Sequence, residues 1–116
     1  MCQKASGQPV MSFARVPKDK LEWTRGKPGA FRSSSIVERH FCAACGTPLT
    51  YNYIEGPNIS VTMCSLDDPD AVQPELQYSV GTQVSWFAGM HDLPGKPTDK
   101  DRVAGMVNYQ HPDHDT

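Results

Sequence analysis

The stretch FCAACGTPLTYNY, residues 41–53, decides the fold. Cys42 and Cys45 are separated by two residues and followed at once by Gly46. That spacing lets two sulfurs converge on one ion at about 2.3 Å. The glycine lets the chain turn sharply past the metal, where a Cβ would crowd it. Apolar alternation flanks the pair on both sides. Val37, Arg39 and Phe41 lead into the knuckle, and Leu49, Tyr51 and Tyr53 lead out of it. After the turn signal Glu55-Gly56-Pro57-Asn58, the residues Ile59, Val61 and Met63 repeat the period of two. Strand, knuckle, strand, turn, strand predicts an antiparallel meander.

Outward from this centre the chain stays β-like. Met11, Phe13 and Val16 form a strand pattern that stops at Pro17, and Leu21 and Trp23 alternate before a Gly26–Gly29 turn region. No window of 12 or more residues carries a helical stripe. Asp67-Asp68-Pro69-Asp70 predicts an acidic turn. An ordered region is expected over 80–87, with Trp86 and Phe87 as packing anchors. From Asp92 the chain is rich in Asp, Pro, Gly and Lys, and it ends as a loose tail. The expectation is a mainly β protein, one domain over 1–97 and a tail over 98–116.

Length and composition agree with one domain. The 116 residues allow one compact core, and 38% hydrophobic with 21% charged residues is a globular composition. No apolar run approaches the roughly 18 residues of a membrane span, so no membrane partner is expected. The net charge of −2 hides an asymmetry. Residues 1–50 hold eight Lys/Arg against three Asp/Glu, and residues 51–116 hold three against ten. Nothing resembles a basic patch interleaved with aromatics, so no nucleic-acid partner is expected.

The four cysteines are Cys2, Cys42, Cys45 and Cys64. With no basic-then-apolar leader, the expected compartment is the cytoplasm, and metal binding is favoured over disulfides. A structural zinc site normally takes four ligands. Cys2 and Cys64 are the remaining thiols. His40 adjoins the knuckle but points opposite to Phe41, which predicts a surface residue. His91, His111 and His114 read as solvated. A Cys–His pair with Cys64 or Cys2 as nucleophile lacks a third orienting group at a telling spacing.

Four quoted segments carry a family resemblance. CQKASGQPV at 2–10, LEWTRGKPGAFRSSSIVERHFCAACGTPLTY at 21–51 and ISVTMCSLDDPD at 59–70 match densely, and VSWFAGMHDLPGKP at 84–97 matches loosely. Together they resemble the glutathione-dependent formaldehyde-activating enzyme family, which includes centromere protein V. The resemblance implies an antiparallel β-tent with a zinc-knuckle hairpin. It implies two zinc sites, a structural one that includes the knuckle and a catalytic one formed by a Cys-His-Cys-x-x-Cys run leading into Lys-Ala-Ser-Gly. Carried over, Cys42 and Cys45 match the structural knuckle. Cys2, which precedes Lys4-Ala5-Ser6-Gly7, matches the last cysteine of the catalytic run. The candidate metal ligands are therefore Cys2, Cys42 and Cys45, with Cys2 also the candidate catalytic residue and zinc the implied cofactor.

The other ligands of the family pattern would precede Met1, and so would some of its strands. Three explanations stay open: a start placed inside the motif, a naturally short form that has lost zinc, or a mixed site using Cys2 and Cys64. Cys64 itself departs from the family, which more often has a small residue there. The implied activity is a carbon–sulfur lyase reaction on glutathione or thiol–aldehyde adducts, and whether the chain as written is active stays open. The basic half, with Lys4, Arg15, Arg25, Arg32 and Arg39, suits an anionic thiol. A second reading is a non-enzymatic zinc-binding β-tent module for a macromolecular partner, and a third is a thiol redox protein using Cys64 or Cys2. A strand edge left open by missing strands would be covered by a second copy, so a homodimer is expected.

Overall fold

The computed structural model describes residues 1–110. It is mainly β. The strands are β1 (Phe13–Pro17), β2 (Gly29–Arg32), β3 (Val37–Phe41), β4 (Pro48–Tyr53) and β5 (Asn58–Thr62). They form one open sheet in the order β1-β5-β4-β3-β2, antiparallel throughout. The three alternating runs seen in the sequence are β3, β4 and β5, and they pair consecutively as the meander requires.

Each connection has a local cause. The knuckle closes through Gly46 N–H donating to the Cys42 carbonyl at 2.8 Å and Cys42 N–H donating to Thr47 O at 2.9 Å. Gly46 takes φ 79°, the left-handed region open to glycine at little cost. At the other end, Gly56 N–H donates to Tyr53 O at 3.1 Å. Lys18 then clamps that turn to the end of β1, its ammonium donating to the carbonyls of Tyr53 at 2.8 Å and Ile54 at 2.9 Å.

Two expectations need correction. Leu21 and Trp23 do not form a strand, and the neighbour of β3 is Gly29–Arg32 instead. The reason is close approach. A Cβ on Gly29 would lie 2.6 Å from the Phe41 ring, so only glycine lets this strand lie flat across its partner. Trp23 packs its ring edge-on to His40 with centroids 5.7 Å apart, a use of its apolar bulk that needs no strand. Trp86 is 58% exposed and so is not a buried anchor, whereas Phe87 is half-buried.

Register fixes which residues share a face. Phe31, Arg39, Tyr51, Ser60 and Arg15 lie opposite one another in successive strands. Alternation puts His40, Thr50 and Val61 on the reverse face. Among the described residues the buried apolar side chains are Val37, Ile59 and Met63, and Arg39, Thr50 and Thr62 are buried as well. Thr62 satisfies its hydroxyl by donating to Pro48 O at 2.7 Å, beside the Ser65 hydroxyl at 2.6 Å. No long helix is present among the described residues. The one α-helix among the described residues, α1 (Cys2–Ser6), has five residues and ends at Gly7 with φ 68°. Beyond β5 the described chain runs in short 3-10 turns, of which Pro69–Ala71 is capped by Asp68 accepting from Asp70 N–H at 3.1 Å. No described helix is long and apolar enough to cross a membrane.

Candidate functional site

Cys2 opens α1, a helix too short to hold itself without tertiary support. Its carbonyl accepts from the Ser6 hydroxyl at 2.9 Å, and Ser6 in turn accepts from Gln8 N–H at 3.1 Å. The sulfur accepts from Arg39 Nη2 at 3.2 Å. This contact docks the N-terminal segment on the sheet.

Arg39 occupies a strand position whose neighbours at i±2 are apolar, and it is 7% exposed. Its guanidinium is held on four sides. Nε donates to Ser33 Oγ at 3.2 Å, Nη1 approaches Met11 Sδ at 3.8 Å, Nη2 meets Cys2, and the group lies 4.9 Å over the Tyr51 ring. Tyr51 is itself packed against Phe13, with centroids 5.8 Å apart. No carboxylate among the described residues pairs with Arg39. The sequence reading placed Arg39 in the alternating run into the knuckle and among the basic residues suited to an anionic thiol, and did not foresee its burial. The signal that could have found it was an arginine standing in the core register of β3.

The knuckle thiols are half-buried. Cys45 Sγ lies 3.1 Å from Thr47 Oγ1. The Gln110 amide donates to Cys45 Sγ at 3.3 Å and also to Thr47 Oγ1, which brings the C-terminal part of the described chain to the knuckle. An open cleft of about 260 Å³ lies alongside, lined by residues including Ser6, Met11, Ser12, Thr47, Thr62 and Cys64. Cys64 is exposed there, 3.9 Å from the Ser12 hydroxyl.

The predicted ligands are not gathered together. Among the described residues no three His, Cys, Asp or Glu side chains form a group able to hold a metal ion. Cys2 faces Arg39 rather than the knuckle, and Cys64 opens to the cleft. Cys42 and Cys45 are two donors where a structural zinc site normally takes four, and no third His, Cys, Asp or Glu among the described residues joins them. His40 corrects its expectation. It does alternate away from Phe41, yet its side chain is only 14% exposed. Its ring bonds Thr50 Oγ1 at 2.6 Å and Glu38 Oε1 at 3.0 Å, and Trp23 covers it. His91 is exposed beside Asp92 at 3.6 Å, and His111 and His114 lie outside the described residues.

No curated protein and no solved structure gives a match to this chain. The family model described as glutathione-dependent formaldehyde-activating enzyme matches residues 1–82, a span holding Cys2, Arg39, the knuckle and the whole sheet. Glutathione-related chemistry is what that membership suggests. More than half of the sequence lies inside the match, and the chain belongs to the glutathione-dependent formaldehyde-activating enzyme family.

Proposed function

We propose that this protein acts on adducts between a glutathione-like thiol and an aldehyde, making and breaking a carbon–sulfur bond as a lyase does. The observation that carries the reading is the Cys2 sulfur, half-buried and fixed 3.2 Å from a buried guanidinium inside the family-matched span. A sulfur held in one place suits addition to a carbonyl carbon, because orientation removes part of the barrier. In the forward step the sulfur forms a bond to the aldehyde carbon, the carbonyl π pair moves to oxygen, and that oxygen takes a proton. In the reverse step the hydroxyl proton is lost, the carbon–sulfur bond breaks with its electron pair going to the sulfur, and the released aldehyde adds in the same way to the glutathione-like thiol, whose proton goes to the new hydroxyl. The family match supports this reading over that of a macromolecule-binding module.

Zinc enters the proposal at the knuckle. Cys42 and Cys45 would hold the ion with two further donors from outside the described residues, and no step of the reaction is routed through it. The β-tent arrangement, a single domain over 1–97, a cytoplasmic setting and a homodimer belong to the same reading. The meander and the hairpin position of the two cysteines support its first part.

The test is exchange of formaldehyde with glutathione, followed by NMR. The full chain should accelerate formation and decay of the hydroxymethyl thioether, and Cys2→Ser should lose at least about ten-fold of that acceleration. Exchange no faster than in buffer would refute the reading.

A further inference from the structure

We infer that residues 74–78 pair as antiparallel strands with the same residues of a second copy, about a two-fold axis at Leu76. This deepens the homodimer of the proposed reading, on which it rests, by naming the segment that joins the copies. From Val72 to Val80 the chain alternates strictly. Val72, Pro74, Leu76, Tyr78 and Val80 are apolar, and Gln73, Glu75, Gln77 and Ser79 between them are polar. That is the pattern of a strand with one covered face. Yet Leu76 is 68% exposed and Tyr78 81%. Residues 73–79 belong to no helix, strand or turn, and no backbone N–H or carbonyl from Val72 to Tyr78 makes a backbone hydrogen bond among the described residues. Gln77 Oε1 accepts from Gln83 Nε2 at 2.9 Å, which ties the run to the turn after it. Ser79, in the left-handed region at φ 55°, marks its end.

The occupant follows from the symmetry of the run about Leu76. Antiparallel register sets Leu76 against Leu76, Pro74 against Tyr78 and Glu75 against Gln77. The apolar pairs take the non-hydrogen-bonded positions, where side chains lie closest and where the N–H that proline lacks is not needed. Glu75 and Gln77 then exchange N–H and carbonyl bonds, and the two-fold axis repeats the exchange. No carboxylate opposes another, since the two Glu75 groups lie diagonally on the water side. The run matches the five residues of β1, β3 and β5. Surface area agrees with a missing partner. The chain exposes 9539 Å², whereas a compact chain of this length exposes about 6,300 Å². The excess is larger than the area of about 800 Å² that a specific interface covers on each partner.

Sedimentation equilibrium of the full chain tests this. The mass should rise from one chain toward two as concentration increases through about 100 µM. Leu76→Asp sets two carboxylates face to face, and Gln77→Pro removes an N–H from each strand. Each should weaken association about ten-fold or more. Both positions are exposed, so circular dichroism should be unchanged. Leu93→Asp, at a leucine 67% exposed outside the run, should associate as the unaltered chain does. Mild oxidation of Leu76→Cys should link the two copies of position 76, because opposed strand positions lie within disulfide reach, and peptide mass spectrometry reads the link. Leu93→Cys should give no such link between copies of position 93. If either association variant loses its fold, the link at position 76 decides alone. Association that survives both Leu76→Asp and Gln77→Pro would overturn the pairing and keep the homodimer, while a single chain at every concentration would overturn both. Formaldehyde exchange by a chain that stays single would remove the dimer and leave the proposed activity standing.

Discussion

His40 on β3 and Thr50 on β4 face each other across the strand pair, ring Nδ1 to hydroxyl oxygen at 2.6 Å. Thr50 is 3% exposed, and the other ring nitrogen of His40 meets Glu38 at 3.0 Å. The chain is thus tied side chain to side chain at the centre of the meander. Thr50→Val keeps the shape and removes the hydroxyl, leaving a half-buried imidazole nitrogen without its partner. The expected loss of stability is about 1–3 kcal/mol by urea denaturation. An unchanged midpoint would show that the bond adds nothing.

Ile59 and Ile36 provide a matched pair. Ile59 is 5% exposed in β5, and Ile36 is 48% exposed before β3. Ile59→Ala should cost about 2–5 kcal/mol, transfer and cavity terms together. Ile36→Ala should stay within about 0.5 kcal/mol. Chemical denaturation of both variants checks the contrast.

Two glycines should fail for different reasons. Gly46→Ala forces a side chain into the left-handed region at φ 79°, with open space around it, and should cost about 1–2 kcal/mol. Gly29→Ala has ordinary backbone freedom but drives a methyl group into the Phe41 ring at 2.6 Å. Overpacking of that kind costs about 1–3 kcal/mol. It should also loosen β2, seen as faster amide exchange at Phe31 and Arg39 than in Gly46→Ala.

Metal content separates the knuckle from Cys2. Purified chain should hold at most about one zinc ion, and Cys42→Ser with Cys45→Ser should abolish it. Cys2→Ser should leave it unchanged, because Cys2 is engaged with Arg39 and joins no metal-ligating group among the described residues. Elemental analysis finding two tightly held ions per chain would contradict this.

What the sequence revealed follows from which signals are local. The meander was legible because β3, β4 and β5 each alternate and are joined by short turns. β2 was not, since Gly29-Ala-Phe-Arg32 has no apolar alternation and exposes Phe31 to 63%. It becomes a strand by pairing with β3, a tertiary cause. Leu21 and Trp23 show the converse, where a period of two over so few residues is too weak to secure a strand without a partner. At the site, Cys42 and Cys45 announce themselves by spacing. The meeting of Cys2 with Arg39 joins residues 37 apart, and the only local hint was a cation among apolar strand neighbours.

The position of β1 beside β5, rather than beside β2, has a kinetic consequence. Phe13 pairs with Thr62, so a strand made early in synthesis finds its neighbour only after the whole meander has emerged. Closure of that long loop is entropically the dearest pairing in the sheet and should come last in folding. Until then residues 13–17 wait as an unpartnered ribbon, and a chain halted before Thr62 leaves the ribosome with its first strand still unsheltered.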